Sequence, residues 1–275
     1  LELILGTSLG ALADQIPFDS DSSTFFENNY QLLSVNPQDA RGYNKLAEEV
    51  SKIYSQNKLQ QDIGCTPRSN DDRNCFEQFV GKMGRRFLRR PLTNNEIDRY
   101  ADLLLDYARE DNRFMTAVEM ALEAWVQHPE FLYRIEAGTG NSLPSGLVRL
   151  SAYEVATRLS FLITGRGPTD NLLDRAARGE LNNANGRAQI AESLLQTNQA
   201  KENWKHFHGQ WLGYGDIFST HRLKDHFTLE TDQLIEKVIF TDNSDWLDIF
   251  ASDQTYLTPQ FCLLYTSDAA DEEDS

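Results

Sequence analysis

From Cys75 onward, apolar stripes of helical period alternate with short polar breaks. Phe76, Phe79, Val80, Met83 and Phe87 recur at three- and four-residue spacing, which predicts one helix with a single apolar face. Arg85 and Arg89 fall opposite that stripe and are expected to look outward. Pro91 is expected to end the helix, because the residue before a proline avoids the α region. Thr93 and Glu96 then spell a T-x-x-E capping box. The face of the helix it opens is Ile97, Tyr100, Ala101, Leu104 and Ala108. Phe114, Val118, Ala121, Leu122 and Trp125 mark a third helix, which His128-Pro129 interrupts before a short turn through Phe131, Leu132 and Tyr133.

The flanks are less regular. Leu1 to Leu12 reads as the tail of a helix broken by Gly6 and Gly10, residues 17–23 as a polar loop, and 24–34 as a loop pinned by its aromatics. Helix resumes near Pro37, with Tyr43, Leu46, Ala47, Val50 and Tyr54 at helical spacing. Four of the ten residues 137–146 are Gly or Pro, the clearest linker signal. Beyond it a second capping box, Ser151 to Glu154, opens a helix expected to bury Val155, Leu159 and Leu162. Gly165, Gly167 and Pro168 stop it, and Thr169 starts another through Leu172, Leu173 and Ala176. Further helices are predicted over 186–197, over 201–212 with Trp204, Phe207 and Trp211 as its core stripe, over 229–240, and over 246–251. Alternating β-branched runs are nearly absent. The prediction is an all-α, multi-helix chain of two or three packed helical subdomains: 1–62, 63–136 and 147–261, with 262–275 a disordered tail.

Composition narrows the function classes. A net charge of -16 and a pI near 4.7 argue against a general binder of nucleic acid or anionic membrane. No apolar run approaches the roughly 18 to 20 residues of a membrane span. The chain opens without methionine, on a helical pattern, and is expected to be a stretch of a longer protein. The string from Cys262 to Ser275 is similar to translated adaptor read-through in environmental sequence assemblies. Without its five acids the net charge would be nearer -11.

Within this acidic chain, residues 82–90 gather five positive charges: Lys82, Arg85, Arg86, Arg89 and Arg90. An anion or acidic-polysaccharide site would use the bidentate guanidinium fork. A nucleic-acid patch would need basic residues spread along a groove. Pairing with the chain's own carboxylates is favoured by the acid excess and by arginine's place at helix C-termini. Arg85 and Arg89 are the pair expected to face solvent or another domain, and Arg90 to fix the turn.

Other pairs read as local structure. Glu154 and Arg158 lie at i and i+4. His206 and His208 point about 200° apart on a helix and cannot share a metal there. They and His221 and His226 read as surface imidazoles. Asp19 with Asp21, and Asp71 with Asp72, read as solvated turns, and no C-x-x-C-H haem site or zinc spacing occurs. No catalytic, cofactor or metal residues are assigned.

Four stretches taken in order, GRRFLRRPLT at 84–93, the segment from Trp125 to Glu136, LSAYEVATRLSFLITG at 150–165 and FHGQWLG at 207–213, resemble the cytochrome-c-associated domains of unknown function of large planctomycete-type envelope proteins. The resemblance covers roughly residues 1–261. It implies a periplasmic or cell-envelope setting, other domains of the same polypeptide as partners, and any c-type haem outside this stretch. In an envelope setting Cys65 and Cys75, ten positions apart in a turn-rich loop, are expected to form a disulfide; the alternative is two free thiols. The reading is a structural or interaction module that docks a c-type haem or carbohydrate-related domain. The alternative is a polysaccharide-acting hydrolase or oxidoreductase with its site between helical domains.

Overall fold

The computed structural model describes residues 1–6, 26, 35–57, 63–140, 146–214, 224–257 and 262, and every regular element among them is helical. The stretch 17–23, the aromatics of 24–34 other than Phe26, His221 and the tail 263–275 lie outside the described residues. Two compact units form. One takes in the chain up to Leu162 together with Arg166–Glu192, and the other Ile163–Gly165 with the chain from Ser193 on and Phe26.

The first unit begins with α1 (Glu2–Leu5) and α2 (Pro37–Asn57), which buries Leu46, Ala47, Val50 and Tyr54 as their spacing requires. A disulfide joins Cys65 to Cys75. The loop it closes ends at Asp72, whose carboxylate accepts from the amide of Cys75 and so caps α3 (Arg73–Phe79). Asp72 is only 9% exposed and also takes the amide and Nε of Arg68, so the expected solvated turn is a buried cap. These bonds, led by the one to the Arg68 side chain, hold its carboxyl down at about 2.

Beyond α3 the chain widens into a π-helical turn, Val80–Gly84, and tightens again into α4 (Arg85–Leu88). Phe76, Phe79, Val80, Met83 and Phe87 are all fully buried, as the stripe predicted. The helix stops at Arg89 rather than at Pro91: Arg89 has φ 57, a left-handed backbone uncommon for a residue with a Cβ. The capping box then forms as read, with the Glu96 amide donating to Thr93 Oγ1 and the Thr93 amide donating to Glu96, and opens α5 (Asn94–Glu110).

In α6 (Phe114–Val126) every residue of the expected stripe is buried, and the helix packs against α2 and α5. Trp125 lies at the centre of this core, its ring against those of Phe79, Phe87 and Tyr100. Gly84 makes room for it. A Cβ there would meet Trp125 Cζ2 at 3.3 Å and both δ carbons of Leu92 at 3.0 Å. After α7 (Pro129–Leu132), the second capping box opens α8 (Ala152–Thr164). Its buried face is Ala156, Ser160 and Thr164, and Leu162, expected inside, is 71% exposed. The buried positions are thus small residues at i, i+4 and i+8, and the large side chains sit at the margin or outside. The unit closes with α9 (Asp170–Ala177), capped by Thr169, and α10 (Ala184–Leu195).

The second unit holds α11 (Asn198–Leu212), α12 (Lys224–Ile235), a π-helical turn at Glu236–Thr241 and a 3-10 turn at Trp246–Phe250. Its buried aliphatic cluster is small: Ile235, Val238 and Ile249, with Leu234 and Ile239 against it.

Candidate functional sites

The arginine corner is engaged within the first unit. Arg85 Nη2 lies 2.5 Å from Asp174, and Arg86 grips Asp170 through Nε and Nη2 at 3.0 and 2.7 Å. These bonds tie α4 to α9. Arg90 Nη2 stands between two carboxylates, 2.8 Å from Glu96 and 2.7 Å from Glu130. Arg89, expected on the outward face, is 8% exposed. Its guanidinium donates to the carbonyls of Phe131 at 3.2 Å, Tyr133 at 2.9 Å, and Glu130. Those are the carbonyls that the end of α7 leaves without intrahelical partners. Phe161 lies 5.8 Å from the Arg89 guanidinium carbon and 5.3 Å from that of Arg134. Glu154 and Arg158, expected to pair, do not: Arg158 binds Glu136, while Glu154 accepts from the amides of Gly138 and Ser151.

Arg90 sets an acid dependence. Its hydrogen bonds to Glu96, with those from Thr93, hold the Glu96 carboxyl down at about 2. A depressed carboxyl stabilises the fold above its unfolded value of roughly 4.3, and that stabilisation is lost as pH falls toward 2. The melting temperature should therefore fall less steeply between pH 5 and 2 in Glu96→Gln than in the parent chain. Parallel acid limbs in the two proteins would refute this.

The second unit carries a different surface. In α11, Trp204 and His208 lie one turn apart on one face, and Phe207 and Trp211 on a neighbouring one. His208, expected at the surface, is fully buried; its Nδ1 is 2.8 Å from the Trp204 carbonyl, which assigns the N–H to Nδ1. Its Nε2 has no hydrogen-bond partner among the described residues. Phe207 and Trp211, expected in the core, are 41% and 38% exposed. Trp211 meets Trp246 at a ring-centroid distance of 5.7 Å and Phe250 at 6.2 Å, and those two meet each other at 5.6 Å. Trp246, Leu247 and Phe250 are 43%, 57% and 55% exposed. The rings form one continuous face: Phe207 stacks on Trp211 with 26° between their planes, while Trp246 meets Trp211 tilted and Phe250 meets it edge-on.

The motif FHGQWLG, with the tyrosine after it, supports this face from behind. Gly213 takes the left-handed conformation at φ 69, ending α11 and turning the chain back so that the Tyr214 ring packs over Gly209. Tyr214 then donates to Asp232 of α12 at 2.7 Å. Burial pushes both groups up, the phenol strongly so with help from the carboxylate beside it. Lys205 closes the network through Glu236 at 2.8 Å and Glu202 at 3.1 Å. These bonds brace α11 against α12 and the π turn, holding the stem on which Trp211 stands.

Among the described residues, no group of three or more His, Cys, Asp or Glu is placed to hold a metal ion, and no helix is long and apolar enough to cross a membrane. No curated protein and no solved structure matches the chain. Residues 75–136 match the family described as "PSD5: Protein of unknown function (DUF1595)", and residues 150–266 match "PSD4: Protein of unknown function (DUF1592)". The helical segment that begins at the disulfide's Cys75 and the segment bearing the aromatic face are thus each similar to a domain family of unknown function.

Proposed function

We propose that this chain is a helical interaction module of a longer multidomain polypeptide working in the periplasm or cell envelope, and that the aromatic face of its second unit receives a neighbouring domain. One observation carries the reading: Phe207, Trp211, Trp246 and Phe250 form a connected patch of rings, each more than a third exposed. Contiguous exposed aromatics of this kind mark interaction surfaces, and Trp and Phe are enriched at interface centres. The arginines offer no comparable surface, since each is bound to carboxylates or carbonyls of its own unit. The disulfide fits an oxidising compartment. That the neighbour is a c-type haem or carbohydrate-related domain rests on the family resemblance alone.

A photo-crosslinking amino acid placed at Leu247, in protein produced in its native host, tests this. It should yield one discrete adduct, mapped by mass spectrometry to another domain. Placed instead at Leu103, which is 47% exposed on α5, it should yield none. Indistinguishable adduct patterns at the two positions would sink the reading.

A further inference from the structure

The surround of the aromatic face narrows the chemistry of what docks on it. Residues 241–257, which carry Trp246, Leu247 and Phe250, include Asp242, Asp245, Asp248 and Asp253 and no Lys or Arg. Asp242 is paired with Lys237, and Asp245 caps the amide of Leu247. No cation pairs with Asp245, Asp248 or Asp253 among the described residues. The two lysines of α11 do not serve them: Lys201 lies 3.2 Å and Lys205 2.8 Å from Glu236. The exposed rings of residues 246–250 are therefore flanked in the chain by carboxylates that have no cation of their own among the described residues.

A second copy of the chain would bring the same acidic rim, and a net charge of -16, against this one. Nucleic acid and anionic lipid face the same repulsion. Trp246 and Phe250 stand edge-on to each other at 83°, so their part of the face is no flat stacking platform for a sugar chain. A partner that buries the rings and answers the acids must be apolar along one stripe and cationic beside it.

We propose that the aromatic face binds a basic amphipathic helical segment, with aliphatic anchors on the rings and Lys or Arg facing Asp245, Asp248 and Asp253. The proposal rests on the aromatic face being an interaction surface, and it adds the partner's charge.

Two 18-residue amphipathic probe peptides test it on the full chain, one built from Leu and Lys and the other from Leu and Glu. Binding is followed by tryptophan emission and calorimetry. The Leu–Lys peptide should bind at one site, shifting the emission to the blue. Trp246→Ser should weaken it about tenfold, as for an interface anchor. Asp248→Asn, an exposed substitution that leaves the rings in place, should weaken it about threefold. Circular dichroism of both variants checks that they remain folded. Equal binding of the Leu–Glu peptide, no binding of either peptide, or Leu–Lys binding unchanged in both variants would each overturn the proposal. So would a ring-dependent dimer in sedimentation, or ring-dependent binding to phosphatidylglycerol vesicles. A discrete crosslink at Leu247 alongside a failed peptide test would leave the interaction surface standing and remove only the basic segment.

Discussion

Trp125→Ala should lower the unfolding free energy by about 3–5 kcal/mol, the usual cost of emptying a large aromatic from a core. Trp125 is fully buried, with ring centroids 5.5 to 5.6 Å from those of Phe79, Phe87 and Tyr100. Three elements meet on this one side chain: the α3–α4 helix with its π turn, α5 and α6. Collapse around the cavity is hindered because Gly84 already lets Trp125 and Leu92 rest against the backbone. Trp125→Phe keeps an aromatic ring in the site and gives up only part of the buried surface. That variant should lose less than half as much as alanine. The measurement is the denaturant midpoint by far-UV circular dichroism. A loss under about 1 kcal/mol for alanine, well below the range for buried aromatics, would show that the core does not turn on this residue.

The core was legible because its signal is local. Helical spacing of Phe76, Phe79, Val80, Met83 and Phe87, and of the Phe114 to Trp125 stripe, names its own buried face. Both capping boxes could be read from residues three apart. What could not be read depends on backbone winding or on partners far along the chain. The π turn and the left-handed Arg89 leave no periodic signature, and together they turned an arginine expected outside into one that is 8% exposed. The anchors of Arg85 and Arg86 lie 89 and 84 positions away, beyond any spacing rule.

The aromatic face failed for the opposite reason. Large rings at helical spacing are normally core, and the spacing of Trp204, Phe207 and Trp211 predicts that. A usable sign was present in the sequence. Trp204 with His208, and Phe207 with Trp211, make two adjacent stripes on one helix, an arc wider than one core contact covers. Trp246 and Leu247 are also neighbours in sequence, so a short helical turn cannot bury both against one surface. Counting apolar positions per face, rather than matching a single stripe, would have left these side chains in excess.

Arg89 yields the second large effect, and it separates charge from geometry. Arg89→Met keeps much of the buried stem but removes donors from the carbonyls of Glu130, Phe131 and Tyr133. Hydrogen bonds to a charged group contribute roughly 1.5–3 kcal/mol each and are not additive, so a total loss of about 3 kcal/mol is expected. Arg89→Lys keeps a cation, yet an ammonium on a flexible stem cannot reproduce the planar fork across several carbonyls; most of the loss should remain. Arg89→Gly loses the same bonds and the buried stem as well. The relief of about 1 kcal/mol from a left-handed backbone that glycine adopts freely does not outweigh that loss, so it should fare no better than methionine. The order expected in chemical denaturation is therefore wild type, then Lys, then Met and Gly. If lysine matched wild type, charge alone would account for Arg89. If all three variants were neutral, the carbonyl cluster at the end of α7 would be satisfied without Arg89, and the corner at residues 84–93 would owe its stability to the Arg85, Arg86 and Arg90 carboxylate pairs.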